Sequence, residues 1–169
     1  MRFALILSLM MALAPWDAGA QEVFQKGPFT VRKLHGICKL EIAMQLDGRP
    51  AAILALFPGD THYDELFTEK ERIGLARDQV VVQFDREPPI RLEFTPDLAS
   101  GNQFWEWQYL KGTGGLLDQV KRRSEMEIRF SNGQKEFQFS VSLKGSSKAA
   151  QALRSCNSGG GEGTAPDKD

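Results

Sequence analysis

Histidine, cysteine and net charge are all scarce in this sequence, and each shortage closes off a class of function. His35 and His62 are the only imidazoles, and neither belongs to an HxxxH, HxH or HExxH arrangement that would turn two rings onto one metal ion. No GxSxG elbow, P-loop or dinucleotide fingerprint occurs, so the local signatures of serine hydrolysis, nucleotide hydrolysis and hydride transfer are missing. A formal net charge of -1 supplies no global field to hold nucleic acid or to dock the chain on an anionic membrane. The one dense basic cluster, Lys121-Arg122-Arg123, reads as a solvated helix end. No internal repeat suggests a solenoid or propeller. No cofactor is implied by any motif.

What is present begins with an export signal. Arg2 forms a minimal positive region, Phe3 to Ala14 is apolar apart from Ser8, and Ala18-Gly19-Ala20 is a small-x-small cleavage site. That order is the secretory pattern, and the apolar run is too short to span a bilayer. Residues 1–20 are therefore predicted to be a signal peptide, with Gln21 as the new N-terminus. Cleavage removes Arg2 and Asp17 together, so the formal charge is unchanged. No cysteine follows the cut to carry a lipid, and no second apolar segment reaches spanning length. The expected location is the periplasm or the cell exterior, without stable membrane insertion.

Export changes the meaning of two cysteines. Outside the cytosol an even count most simply means one disulfide, and no CxxC spacing marks a redox pair. Cys38 and Cys156 are expected to bond, tying an early strand to a short C-terminal helix. The chain-entropy model assigns a closed loop of that length about 4–5 kcal/mol.

The dominant apolar period between the two cysteines is two, which is the period of strands. In "CKLEIAMQL", Cys38, Leu40, Ile42, Met44 and Leu46 fall on one face, with Lys39, Glu41 and Gln45 on the other. Asp47-Gly48 signals a turn, and "AAILALF" reads as a central strand preceded by Pro50, where the ladder has not yet started. "VVVQF" and "IRLEF" flank "DREPP" as a hairpin, and "FWEWQYL" forms a further strand. Asn132-Gly133 predicts a two-residue type I′ loop, placing Ser131 opposite Gln134, Ile128 opposite Phe137 and Met126 opposite Phe139. "LLDQVKRR" fits a short helix, whereas "THYDELFTEKERIGLARD" reads as a loop with a helical turn or an irregular insertion. In "SSKAAQALRSC", Ala149, Leu153 and Cys156 share a helix face, and Ser146 is placed as its N-cap. The expected fold is mainly β: an antiparallel sandwich or barrel of about seven to eight strands, closed by a short C-terminal helix. Residues 21–156 form one domain, and the glycine-rich residues 157–169 are expected to be a disordered tail.

Trp105, Trp107 and Tyr109 alternate along one strand, so their rings fall on one face about 7 Å apart, a spacing suited to a sugar chain or a protein surface. The same rings could instead fill the core, and the charge of Glu106 on the opposite face argues for that. "HYDE", His62 to Glu65, gathers an imidazole and two carboxylates that could hold a divalent ion, although such loop clusters are usually solvated.

Cys38, Asp47-Gly48 and the closing "LKGSSKAAQALRSC" together give a layout that resembles small periplasmic proteins of Gram-negative bacteria of the invasion-associated locus B type. The extra early cysteine pairing associated with that family is absent here. The resemblance implies a disulfide-closed periplasmic β-protein that acts through binding, and it implies no catalytic residue. Three functions remain to be weighed. The first is a non-enzymatic binding protein contacting a protein partner or envelope component. The second is a carbohydrate- or peptidoglycan-binding module using Trp105 and Trp107. The third is a small hydrolase or metalloprotein using His62.

Overall fold

The computed structural model describes residues 20–59 and 63–158. The predicted signal peptide up to Gly19, His62, and the predicted tail beyond Ser158 lie outside the described residues. The strands are β1 (Gln21–Lys26), β2 (Phe29–Leu34), β3 (Ile37–Leu46), β4 (Arg49–Leu56), β5 (Asp64–Glu69), β6 (Val80–Phe84), β7 (Ile90–Gly101), β8 (Trp105–Lys111), β9 (Glu125–Ser131) and β10 (Glu136–Ser142). Helix α1 (Leu116–Arg122) lies between β8 and β9, and α2 (Ser146–Asn157) follows β10.

All pairings are antiparallel, and the strands form one sheet in the order β1-β2-β3-β4-β5-β8-β7-β6-β9-β10. This corrects the expected architecture twice: among the described residues there are ten strands, and the sheet is neither a two-sheet sandwich nor a closed barrel. β7 gives the sheet its continuity. Its residues Ile90 to Leu92 pair with β6, while Glu93, Phe94 and Ala99 to Gly101 pair with β8 across an irregularity. The sheet curves over its core far enough that Cα atoms of β10 come within 8 Å of β3, yet no ladder joins them. Helix α2 packs along β1, β2 and β3 and covers the core where a barrel would need strand pairing.

The main core follows the alternation read from the sequence. Cys38, Leu40, Ile42 and Met44 of β3 are buried together with Leu54 and Leu56 of β4, Val80 and Val82 of β6, and Ile128 and Phe139 of the β9–β10 pair. Leu116 and Val120 bring α1 into this core; Ala149, Leu153 and Cys156 bring α2. The Cys38–Cys156 disulfide, with Cα atoms 6.1 Å apart, fixes α2 to β3. A helix of this length is marginal alone, so packing and the covalent tie hold it.

Three local expectations change. Ser146 is not the N-cap of α2, because Gly145 in the left-handed region takes that place. The Ser146 hydroxyl instead donates to the Val120 carbonyl at 2.7 Å, joining the start of α2 to α1. The β9–β10 register lies two residues from the expected one: Ser131 faces Glu136, Phe130 faces Phe137 and Ile128 faces Phe139. Asn132 causes the longer loop. Its Oδ1 accepts the Gln134 and Lys135 amides at 2.9 and 2.8 Å, and its Nδ2 donates to the Ile73 carbonyl at 2.7 Å. Finally, Pro50 lies within the ladder, opposite Gln45, beside a register shift after Met44. The tight turns at His35-Gly36 and Asp47-Gly48 have both central residues at positive φ, as two-residue type I′ loops require.

β5 was read as irregular because it carries polar side chains on its core face. Each is satisfied locally. Asp64 accepts the Phe57 amide at 2.7 Å, and Thr68 donates to the Gly74 carbonyl at 2.6 Å. On the neighbouring β8, Gln108 both accepts the Ala76 amide and donates to its carbonyl, at 3.0 and 2.9 Å. Buried polar groups with such partners cost little, so the strand survives a broken alternation.

Candidate functional site

The face of the sheet turned away from the main core carries a second, smaller cluster. Register places its members in rows that cross the strands. Ala43, Ile53, Phe67 and Trp107 are successive cross-strand partners on β3, β4, β5 and β8. Glu41, Ala55, Glu65 and Tyr109 form the adjacent row. Ile53, Ala55, Phe67 and Trp105 are buried, and Trp107 packs against them with its ring centroid 6.2 Å from that of Phe67.

This arrangement divides the aromatic stripe. Trp105, Trp107 and Tyr109 all face away from the main core, but they are not equivalent. Trp105 is 5 % exposed, whereas Trp107 and Tyr109 are half-buried. Tyr63, 52 % exposed, meets Tyr109 edge-on at 6.0 Å, and Phe104 before β8 is 62 % exposed. Glu106, whose charge argued for inward tryptophans, avoids the core by its place at the strand end. There it pairs with Lys70 at 3.4 Å and faces Gly101, whose missing side chain leaves the carboxylate its space.

Charged residues lie beside the aromatic row. Lys39 and Glu41 are 3 % and 5 % exposed although they point away from the main core. Lys39 Nζ lies 3.3 Å from Glu41, 3.6 Å from Glu65 and 5.0 Å from the Phe67 ring centroid. Arg32 Nε reaches Glu41 at 2.8 Å. These pairs link the aromatic row to β2 and β3, and the cation over Phe67 is the favourable electrostatic contact of a ring face. Sequence reasoning found the tryptophans but not Phe67, Lys39 or Glu65. Only strand register brings them to the tryptophans, because Lys39 lies on β3, Glu65 and Phe67 on β5, and the tryptophans on β8.

A separate cleft of about 530 Å³ opens where the β4–β5 connection, the loop from Lys111 to Gly115 and both helices meet. Asp64 lines it and is 7 % exposed. Burial raises its pKa above the ordinary aspartate value of 3.8, opposed by hydrogen bonds from the Phe57 amide and the Thr113 hydroxyl. Lys121 and Arg154 also line this space, and Lys121 is held by Asp118 at 2.8 Å. That pairing pulls the Asp118 pKa down.

The other predicted site residues fall elsewhere. His35 occupies an exposed β2–β3 turn, and His62 of the "HYDE" cluster lies outside the described residues. Among the described residues no group of three or more histidine, cysteine, aspartate or glutamate side chains could hold a metal ion. Nor, among them, is any helix long and apolar enough to cross a membrane.

The fold is shared with a solved structure. It is the crystal structure of invasion associated protein B from Bartonella henselae, similar at a TM-score of 0.54 over 80 % of this chain and 97 % of that one. The sequence identity is 13 %, so the likeness to invasion associated protein B is one of architecture. No family model matches the sequence, and no curated protein matches it either.

Proposed function

We propose that this chain is an exported, non-catalytic binding protein that takes a protein partner or another envelope component on the aromatic face of β4, β5 and β8. The observation that carries this reading is the trio Trp107, Tyr109 and Tyr63: Trp107 packs at the margin of the second cluster and stays half-buried, as does Tyr109, and Tyr109 meets Tyr63, which is 52 % exposed. Aromatic rings of this kind supply most of the energy at binding surfaces, because they bury much area at low entropic cost. The disulfide supports an oxidising compartment, and the export signal read in residues 1–20 supplies the route. The architectural likeness to invasion associated protein B is in keeping with an envelope role. Capture of components from the organism's own envelope fraction by the exported protein, followed by mass spectrometry, tests the proposal. A discrete component recovered in stoichiometric amount supports it; recovery no different from that of an unrelated exported domain rejects it.

A glycan is the second reading, favoured by flat rings on adjacent positions of one face. The burial of Trp105 shortens that platform to Trp107 and Tyr109. Peptidoglycan fragments that quench tryptophan emission would select it. Trp16 departs with the signal peptide, so the signal would come from Trp105 and Trp107 alone.

A further inference from the structure

We propose that the cleft between the Lys111–Gly115 loop and the two helices is a second binding site, built for a small zwitterion of the amino-acid or dipeptide class. Its volume, about 530 Å³, falls within the range of small-molecule sites. Asp64 is the acceptor group. A carboxylate has roughly four acceptor positions, and the Phe57 amide and Thr113 hydroxyl occupy two, which leaves capacity for an ammonium or hydroxyl. Burial that penalises the carboxylate is relieved when a cation arrives beside it. Arg154 is the opposite pole: it is exposed on α2 and makes no ion pair among the described residues. Lys121 adds a further positive charge to the lining and is positioned by Asp118. Leu117 and Leu153 supply aliphatic surface to the same cleft.

The charge arrangement sorts ligands by what it repels. Lys111 and Asp118 line the cleft as well, and Asp118 is already held by Lys121. A simple cation meets Lys111, Lys121 and Arg154, and a simple anion meets Asp64, so a molecule carrying both charges is the better match for the described lining. The site lies apart from the aromatic face and does not rest on its role.

Isothermal titration of the full exported protein with leucylglycine, its C-terminal amide, its N-acetyl derivative and sodium acetate tests this. Leucylglycine should bind saturably with one-to-one stoichiometry. Amidation or acetylation should each weaken it at least about tenfold, the scale of a lost charged hydrogen bond. Arg154→Gln should remove the difference between acid and amide, and Asp64→Asn the difference between free and acetylated amine. Arg154 is exposed, so its variant folds even if the Asp64 variant does not. Absence of saturable heat, equal binding of all three dipeptides, acetate binding as tightly as leucylglycine, or an Arg154→Gln variant that still prefers the acid would each overturn the assignment.

Discussion

Replacing Cys38 and Cys156 together by alanine removes the only covalent tie between α2 and the sheet, and its cost can be worked from the chain. The bond closes a loop of 118 positions. The chain-entropy relation converts that to about 4.9 kcal/mol at 25 °C, before any strain or residual structure in the unfolded chain reduces it. Domain stabilities are roughly 5–15 kcal/mol, so the loss is a large fraction of the total. For a domain of this size each kcal/mol shifts Tm by about 3–5 °C, which gives a fall of about 15–25 °C. The loss should also have a location. Freed from Cys38, α2 keeps only Ala149, Ala150 and Leu153 as buried anchors besides the Ser146 hydrogen bond. Its amides should lose hydrogen-exchange protection before those of β3 and β4, which lie inside the sheet. Thermal unfolding by circular dichroism and residue-level exchange measure both parts. A Tm within a few degrees of the parent, or an α2 as protected as β4, would refute the view that the disulfide holds the helix down.

Three further outcomes follow from the same structure. Trp105→Ala should cost about 3–5 kcal/mol as a buried truncation, whereas the half-buried Trp107→Ala should cost less than about 2 kcal/mol; denaturant unfolding separates them, and equal costs would contradict the division of the stripe. Asp64 has a raised pKa, so its protonated form is favoured by folding: this contribution is complete below the ordinary value of 3.8 and is lost as pH rises through the folded-state value. Asp64→Asn retains an acceptor for the Phe57 amide, so it should melt higher than the parent at pH 7, with the gap closing at acid pH; a gap that widens on acidification would invert the sign and reject the burial argument. A binding protein needs neither imidazole, so His35→Ala combined with His62→Ala should keep partner capture, and loss of capture at unchanged Tm would favour the metal or hydrolase alternative.

The parts of the fold that were legible in the sequence are those where one face is apolar throughout. β3 is the clearest case: each residue from Cys38 to Leu46 lies on the expected side. The β9–β10 pair shows the limit of the same signal. A slip of two residues keeps every side chain on its face, so alternation cannot detect it, and the deciding hydrogen bonds of Asn132 reach a distant loop. β5 was hidden because Asp64 and Thr68 point toward the core, and their backbone partners, Phe57 and Gly74, lie in the adjoining loops beyond the strand. The charge of Glu106 is no guide to which face of β8 meets the main core, since a charge on the core side is tolerated at the end of a strand, and Trp105 is buried in the second cluster instead. Of the candidate surface, the tryptophans were visible as a motif. Their neighbours Phe67, Lys39 and Glu65 belong together only through the pairing of β3, β4, β5 and β8. The cleft was invisible, being made by loops and helices that no local period connects.

The central claim is that the outer aromatic face does the binding, and the most direct measurement is retention of envelope components by the Trp107→Ala/Tyr109→Ala variant beside the parent protein. Both must first show matched Tm and exchange protection in β3 and β4. If these rings anchor the partner, removing them should cost at least about 2 kcal/mol of binding, a fall in affinity of roughly 30-fold, with the disulfide and fold intact. A variant that retains the same component with undiminished affinity would contradict the account and move the binding surface elsewhere on the molecule.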